Sequence, residues 1–431
     1  MSKVITVFEH QRLEVGVEYP VFRDVQRASK GQIAKTEIKF VEFRQEHFNA
    51  LVKYNEQNES RFFTVGYSKI KFNQYVGVIA VRGLTVEILP KADGNDDEAK
   101  WQQALIDMLK VAHGLPLHES GHAQLALRRT SVLEYFLRLF VEEVQKQVHQ
   151  GLVKRYRQKE GVSTALKGRL DLPRHIRHSI VHKERFHVIH QVYDTDHVLH
   201  SILKKALVVV ENVTHDPLTM GLAQDMQWAF EHVQDRPITA QTFERIALDR
   251  KTKSYENALQ LAKLLLLNYA PDVRSGKEQI LSLLFDMNKL FEVVVLRLLQ
   301  RASQGKDITV SGRNRQVFWK GQPIKPDLVF NRGSGPPFLI ADTKWKVPKG
   351  GNADPGDLKQ MYVYNAQWNC ARSLLLYPSQ IATDTGHHIP PAESFSRQSH
   401  GCSMGYVQLF DPVNGGLRKD AGTTLLASLL A

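Results

Sequence analysis

The sequence predicts a multidomain α+β protein. A strand-rich N-terminal module covers residues 1–95, a mainly helical, basic middle region covers 96–270, and a C-terminal α/β domain covers 271–431. Three observations lead to this reading. The chain has 431 residues, more than one ordinary hydrophobic core supports. Its front is cut into short β-branched and aromatic runs by polar breaks, the pattern of strands. Its last third alternates helix-like and strand-like segments, the pattern of an α/β sheet.

Within 1–95 the runs ITVFEH, HFNALVKY, RFFTVGY and SKIKFNQYVGVIAV read as strands, and Arg82-Gly83 as a tight turn into LTVEILPK. No catalytic set is present here, so the module is read as one for binding or assembly. Phe62, Phe63, Tyr67, Phe72 and Tyr75 lie near Arg61, Lys69 and Lys71. Such a mixture can bind nucleic acid, but ordinary core with solvated charges is the simpler reading.

After the break at Gly94–Glu98, Asp96 or Asp97 can cap the helix AKWQQALIDMLKVAH, which Gly114 ends. Ser131–Gln150 forms a second long helix, and Ser201–Val213 and Tyr255–Asn268 two more. Between the first two, His118-Glu119-Ser120-Gly121-His122 imitates a zinc-protease motif. Pro116 and Gly121 deny it the stable helical turn that the chemistry needs. Residues 151–207 are basic: Lys154, Arg155, Arg157, Lys167, Arg169, Arg174, Arg177, Lys183 and Arg185 could lie on DNA phosphates or an acidic partner surface, or form a solvated face. His197 and His200 lack further ligands at metal spacing and read as structural or exposed. A linker near 270–276 closes the region.

The chemistry concentrates in Ile324–Lys346, IKPDLVFNRGSGPPFLIADTKWK. Two apolar runs flank Asn331–Gly335, so this stretch reads as a β-hairpin. Asp342 and Lys344 are two apart and share a face, and Asp327 opens the partner strand. The carboxylates suit a hard cation. The lysine could orient or deprotonate water, or neutralise developing charge. The set fits metal-assisted phosphodiester hydrolysis; by themselves, the charges could also belong to a solvated edge strand. Upstream, Glu278–Gln300 is apolar nearly all round and reads as one buried helix. In it Glu292 shares a side with Phe285, Leu296 and Leu299. A carboxylate there needs a metal or a cation such as Lys289. Downstream, a helix starting near Asp357 puts Gln360 and Tyr364 on one face. Lys320-Gly321 makes a further turn, expected to add a third strand to the hairpin. RSLLLYP and GYVQLFDP read as later strands, and 379–399 as a long polar loop.

Composition narrows the function. Net charge is +12, which favours a polyanionic partner. No apolar run is long enough to span a membrane, and the start carries no secretory signal. Cys370 and Cys402 are the only cysteines, which suits a reducing cytoplasm better than a disulfide scaffold. No phosphate-binding loop occurs, so the chain has no nucleotide motor of its own.

Pro326-Asp327, then Asp342-Thr343-Lys344, resembles the PD-(D/E)xK nuclease signature. Gln360-x-x-x-Tyr364 resembles that family's fourth motif, and Glu292 its helical acid. Most of the chain is similar to the McrC family, the nuclease subunit of McrBC-type modification-dependent restriction systems. The similarity is carried by YVGVIAVRGLTVEILPK, ALKGRLDL, FDMNKLFE, KPDLVF and IADTKW. It implies a C-terminal restriction-endonuclease-like fold and a type IV restriction endonuclease subunit acting in antiviral defence. It also implies an McrB-like AAA+ GTPase hexamer as partner and modified double-stranded DNA as substrate. The front of the chain would enter the partner ring and stimulate its GTPase. Mg²⁺, or Mn²⁺ in its place, would be held by Asp327 and Asp342, with Glu292 and the Thr343 carbonyl as further donors. Lys344 would align the attacking water, and Gln360 would pack beside the catalytic strand, where it could touch DNA. Two alternatives stay open: a stand-alone metal-dependent nuclease, and a non-cleaving assembly or GTPase-activating subunit.

Overall fold

In the computed structural model the described residues are 3–24, 36–91, 97–115, 131–178, 184–271, 279–312, 314–333, 335–379, 387–413 and 415–430. They fall into two compact units. One comprises residues 134–270, the other residues 2–133 together with 271–431.

The larger unit begins with a sheet built from distant parts of the chain. Strand Lys3–Phe8 runs parallel to Leu84–Leu89, which is antiparallel to Tyr75–Val81. Tyr75–Val81 pairs in turn with Gln279–Asp286. Gly77 makes that last pairing possible. Its φ is +128°, and a Cβ there would come within 1.9 Å of the Leu283 carbonyl oxygen. The Arg82-Gly83 turn forms as expected, with φ of +49° and +74°.

Two readings are corrected here. HFNALVKY is not a strand but lies inside the helix Gln45–Gln57. Its buried residues His47, Ala50, Leu51 and Tyr54 recur at helical spacing. Glu278–Gln300 is not one helix either. Gln279–Asp286 is a strand, and the helix is Met287–Ala302, capped by Asp286 accepting from the Asn288 and Lys289 N–H groups. Phe285 therefore cannot share a helical face with Glu292.

Helix Glu98–His113 is capped by Asp97 and ends at Gly114, φ +70°. The residues of the zinc-protease-like motif lie outside the described ones.

The second sheet of this unit has six strands, ordered Thr309–Gly312, Leu328–Asn331, Leu339–Thr343, Arg372–Pro378, Gly401–Val407 and Glu393–Ser394. The hairpin of the second and third strands is as predicted. Its additional neighbour is Thr309–Gly312. The Lys320-Gly321 turn instead closes a separate two-stranded hairpin, Gln316–Trp319 with Gln322–Ile324. Leu339–Thr343, Arg372–Pro378 and Gly401–Val407 run parallel. Helix Pro355–Trp368 covers one face, where Met361, Tyr364 and Trp368 pack with Ile340, Leu375 and Tyr377. Its cap is Asp354 rather than Asp357, with Pro355 in the first turn. Cys370 and Cys402 are buried free thiols in that same cluster. Two residues of the loop read as 379–399, Glu393 and Ser394, form the edge strand.

The smaller unit is helical around Val198–Val213, Pro217–Trp228 and Glu256–Asn268. It is not helical throughout, however. Arg155–Ser163, Phe186–Asp194 and Arg169–Leu170 form a three-stranded antiparallel sheet. No helix among the described residues is long and apolar enough to cross a membrane.

Candidate active site

Side chains alternate along a strand, so Ile340, Asp342 and Lys344 point to one face. Ile340 lies in the cluster under helix Pro355–Trp368, which places the two charged residues beneath that helix as well. The ladder continues past the strand's end, because the Lys344 N–H donates to the Leu376 carbonyl at 2.8 Å. The lysine of the sequence motif thus sits on fixed backbone.

Asp342 is 3% exposed. Its Oδ2 lies 2.7 Å from the Lys344 ammonium. Lys344 also reaches Asp357 at 3.3 Å and donates to Gln360 Oε1 at 3.1 Å. Gln360 Nε2 donates to the Tyr364 hydroxyl at 2.7 Å, and that hydroxyl donates to the Lys325 carbonyl at 2.8 Å. Asp327 is fixed from the other side. Thr343 donates to its Oδ2 twice, from the backbone N–H at 2.8 Å and from Oγ1 at 2.7 Å. Asp327, at the start of the adjoining strand, is thus near enough to act on the Asp342 carboxyl through its charge.

The electrostatics are those of a crowded acid pair. Burial pushes the Asp342 carboxyl up to about 7, and the Asp327 carboxylate adds to that push while Lys344 opposes it. Burial alone would lower Lys344, but Asp342 and Asp357 more than reverse this and hold it above its usual range. Tyr364 is pushed up to about 12 by burial and then by the charge of Asp342.

A divalent cation fits this donor set. A buried carboxylate pushed further by a second one is relieved by a positive ion near both. One or two carboxylates, with water completing the shell, is a usual Mg²⁺ site. Among the described residues no group of three His, Cys, Asp or Glu is spaced to hold one ion. Asp327 and Asp342 are close enough to interact electrostatically, but Glu292 does not join them in a three-acid group. Glu292 is half-buried on helix Met287–Ala302. One turn further on, Leu296 packs so closely on Gly312 that a Cβ there would lie 2.5 Å from Leu296 Cδ2 and 3.3 Å from the Asp327 carbonyl. That helical stripe therefore faces the strand beside Asp327.

One site residue escaped the sequence reading. Asp357 bridges Lys344 and Lys346, the latter at 2.6 Å. Its signal was available: Asp357, Gln360 and Tyr364 stand at i, i+3 and i+7, one helical face.

Elsewhere the basic stretch divides. Arg157 pairs with Asp194 and Asp196, Arg155 with Asp249, and Arg174 with Glu160. Lys154, Lys159, Lys167, Arg169 and Arg177 have no such partner among the described residues, and Lys183 lies outside them. His200 is fully buried, with Nδ1 at 2.5 Å from the Thr195 carbonyl and Nε2 at 3.1 Å from the Tyr255 hydroxyl. Burial lowers it to about 4, so it is a neutral structural histidine, as read. In the front part Phe62, Phe63 and Phe72 are core, while Tyr67 is exposed.

Comparison with known proteins gives a consistent picture. The family described as "McrBC 5-methylcytosine restriction system component" matches residues 70–378. A solved half-complex from a tetradecameric assembly of Thermococcus gammatolerans McrB AAA+ hexamers with bound McrC contains a chain of similar fold. Its TM-score is 0.71 at 23% identity, covering 99% of both chains. A chain in a cryo-EM structure of the T. gammatolerans McrBC complex matches at TM-score 0.51 and 25% identity, over 70% of this chain and 88% of that one. No curated protein matches.

Proposed function

The chain belongs to the family of McrBC 5-methylcytosine restriction system components, and from that premise we propose that it is the DNA-cutting subunit of such a system. The observation that carries the proposal is the cluster of Asp327, Asp342 and Lys344 on one hairpin, backed by Gln360 and Tyr364. Its hairpin, parallel strands and flanking helices accord with a PD-(D/E)xK domain.

In this reading Asp327 and Asp342 hold Mg²⁺, or Mn²⁺ in its place. Glu292 and the Thr343 carbonyl are the further oxygen donors the chain offers. The bound ion supplies Lewis acidity to a phosphodiester oxygen and lowers the pKa of water. Thr343 fixes Asp327 in one rotamer through its two hydrogen bonds. Lys344 is held charged by Asp342 and Asp357, so it serves as a cation rather than a base. It orients the attacking water and stabilises the negative transition state. Gln360, Asp342 and Asp357 together engage its three N–H donors and fix where the ammonium sits.

The partner is an AAA+ GTPase hexamer of the McrB kind. The structural relatives come from McrB–McrC assemblies, and this sequence has no phosphate-binding loop to drive translocation itself. The strand-rich front is the part that engages the ring and stimulates GTP hydrolysis. Double-stranded, modified DNA in the cytoplasm is the substrate, in keeping with the +12 charge and two buried free thiols.

The test is plasmid cleavage with Mg²⁺, with and without the AAA+ partner and GTP. Cleavage only with both supports the proposal. Cleavage by the chain alone means a stand-alone nuclease. GTPase stimulation without cleavage means an assembly subunit.

A further inference from the structure

The two-stranded hairpin Gln316–Ile324 stands outside both large sheets. Its strand Gln316–Trp319 presents three consecutive apolar side chains to solvent: Val317 is 65% exposed, Phe318 53% and Trp319 57%. Soluble surfaces scatter single apolar residues, but a contiguous run on a protruding element marks a contact site. The backbone explains why all three are out. Val317 pairs with Pro323 and Trp319 with Gln322, so Phe318 is bulged between them. The tip is a tight turn, with φ of +44° at Lys320 and +78° at Gly321. Lys320 Nζ lies over the Trp319 ring, 4.8 Å from its centroid.

Charge identifies the occupant. Arg315, Lys320 and Lys325 flank the apolar run, all exposed. None of the three has a carboxylate within ion-pair distance among the described residues. Protein interfaces are poor in lysine, whereas a polyanion calls for all three cations. The location agrees. Two residues separate the hairpin from Asp327, and the Lys325 carbonyl accepts the Tyr364 hydroxyl at 2.8 Å, which ties its base to the candidate active site. On the other strand of the same base, the Gln316 and Gln367 amides meet at 3.1 Å.

We propose that this hairpin is a DNA-positioning element. Arg315, Lys320 and Lys325 meet backbone phosphates of the duplex, and Phe318 and Trp319 lie in or wedge its groove beside the cleavage site. The inference rests on the nuclease reading for its substrate, and its test reads binding rather than cutting.

The full chain is titrated against a short fluorescein-labelled duplex in EDTA, and anisotropy is followed over a range of salt. Phe318→Ser with Trp319→Ser is expected to weaken binding about tenfold. Lys320→Glu is expected to lower the slope of log K against log salt by at least about one. These side chains are exposed, so unchanged circular dichroism and thermal melting serve as the folding control. Binding equal to that of the unaltered chain in both variants overturns the proposal, and so does failure of the unaltered chain to bind. Normal binding with a changed mass by sedimentation also overturns it, because the face then joins copies of the chain. Asp342→Ala separates the two readings: normal cleavage by it sinks the nuclease site, while hairpin variants that weaken binding leave the DNA contact standing.

Discussion

Two carboxylates in the larger unit are buried equally, and both are held near neutrality: Asp342 and Glu87 are each 3% exposed, and each is pushed up to about 7. They differ in what surrounds them. Glu87 is raised chiefly by burial, with a lesser push from Glu98, and is satisfied by neutral donors. Its Oε1 accepts the Val132 N–H at 2.6 Å, and Gln102 Nε2 donates to Oε2 at 3.1 Å. Asp342 is raised by burial and by a second carboxylate, and it leans on a lysine whose side chain is still 19% exposed. The first arrangement is a closed polar joint between strand and helix. The second is left frustrated, and an incoming cation would relieve it. A shifted pKa alone therefore does not locate a site; what sets Asp342 apart is its partly exposed lysine.

The comparison breaks most readily at the chemistry. Asp342→Asn, or Lys344→Ala, should reduce cleavage by about 10³-fold or more, because the ion or the transition-state charge loses its partner. Glu87→Gln should leave the cleavage rate within about twofold, since Gln102 can rotate its amide and the joint persists. Initial rates on plasmid with partner, GTP and Mg²⁺ measure both. Equal losses in the two variants would show that burial, not the acid pair, is what matters.

Next in size is stabilisation by the ion. Mg²⁺ at about a hundredfold excess over its Kd should add about 2.7 kcal/mol to the folded state. In the larger unit this corresponds to a rise in Tm of several degrees. The rise should vanish in Asp342→Asn and survive in Glu87→Gln. Calorimetry with and without EDTA decides.

How much of this was legible beforehand depends on range. The acids and lysine of the hairpin are within eighteen residues of one another, and alternation along a strand fixes their face. The capping of Glu98–His113 was equally local. The strand Gln279–Asp286 was not readable, because its partner Tyr75–Val81 lies some two hundred residues earlier and an apolar run fits strand or buried helix alike. The antiparallel sheet of the smaller unit was hidden for another reason. Arg155–Ser163 is polar on both faces, so it carries no alternation to detect. Asp357 was missed because Asp354 and Asp357 both suit a helix start, and only the structure shows which one caps.

A smaller effect appears in pH dependence. Both acids have folded pKa values near 7, above the ordinary carboxyl values of 3.8 and 4.5. A raised acid favours the folded state at low pH, and that favour is lost as pH rises through 7. Without divalent ions, Asp342→Asn and Glu87→Gln should therefore each gain Tm over the unaltered chain at pH 8 relative to pH 5. Saturating Mg²⁺ should erase the Asp342→Asn gain, because the ion then holds the ionised carboxylate in the unaltered chain. The Glu87→Gln gain should remain. Paired melts at the two pH values check the sign.

The smallest expected effect tests whether support reaches Lys344 through the helix. Tyr364→Phe removes one hydroxyl from a buried ring, leaving its packing on Ile340 and Trp368 intact. Gln360 then loses its acceptor, and the Lys325 carbonyl loses its donor. Lys344 keeps its ion pairs with Asp342 and Asp357, so the ammonium stays charged but is less well aimed. The cleavage rate should fall about three- to tenfold, a cost near that of one neutral hydrogen bond, with little change in DNA affinity. A loss as large as that from Lys344→Ala would mean that Tyr364 touches the reacting groups directly. No loss at all would mean that the two carboxylates alone hold the lysine in place.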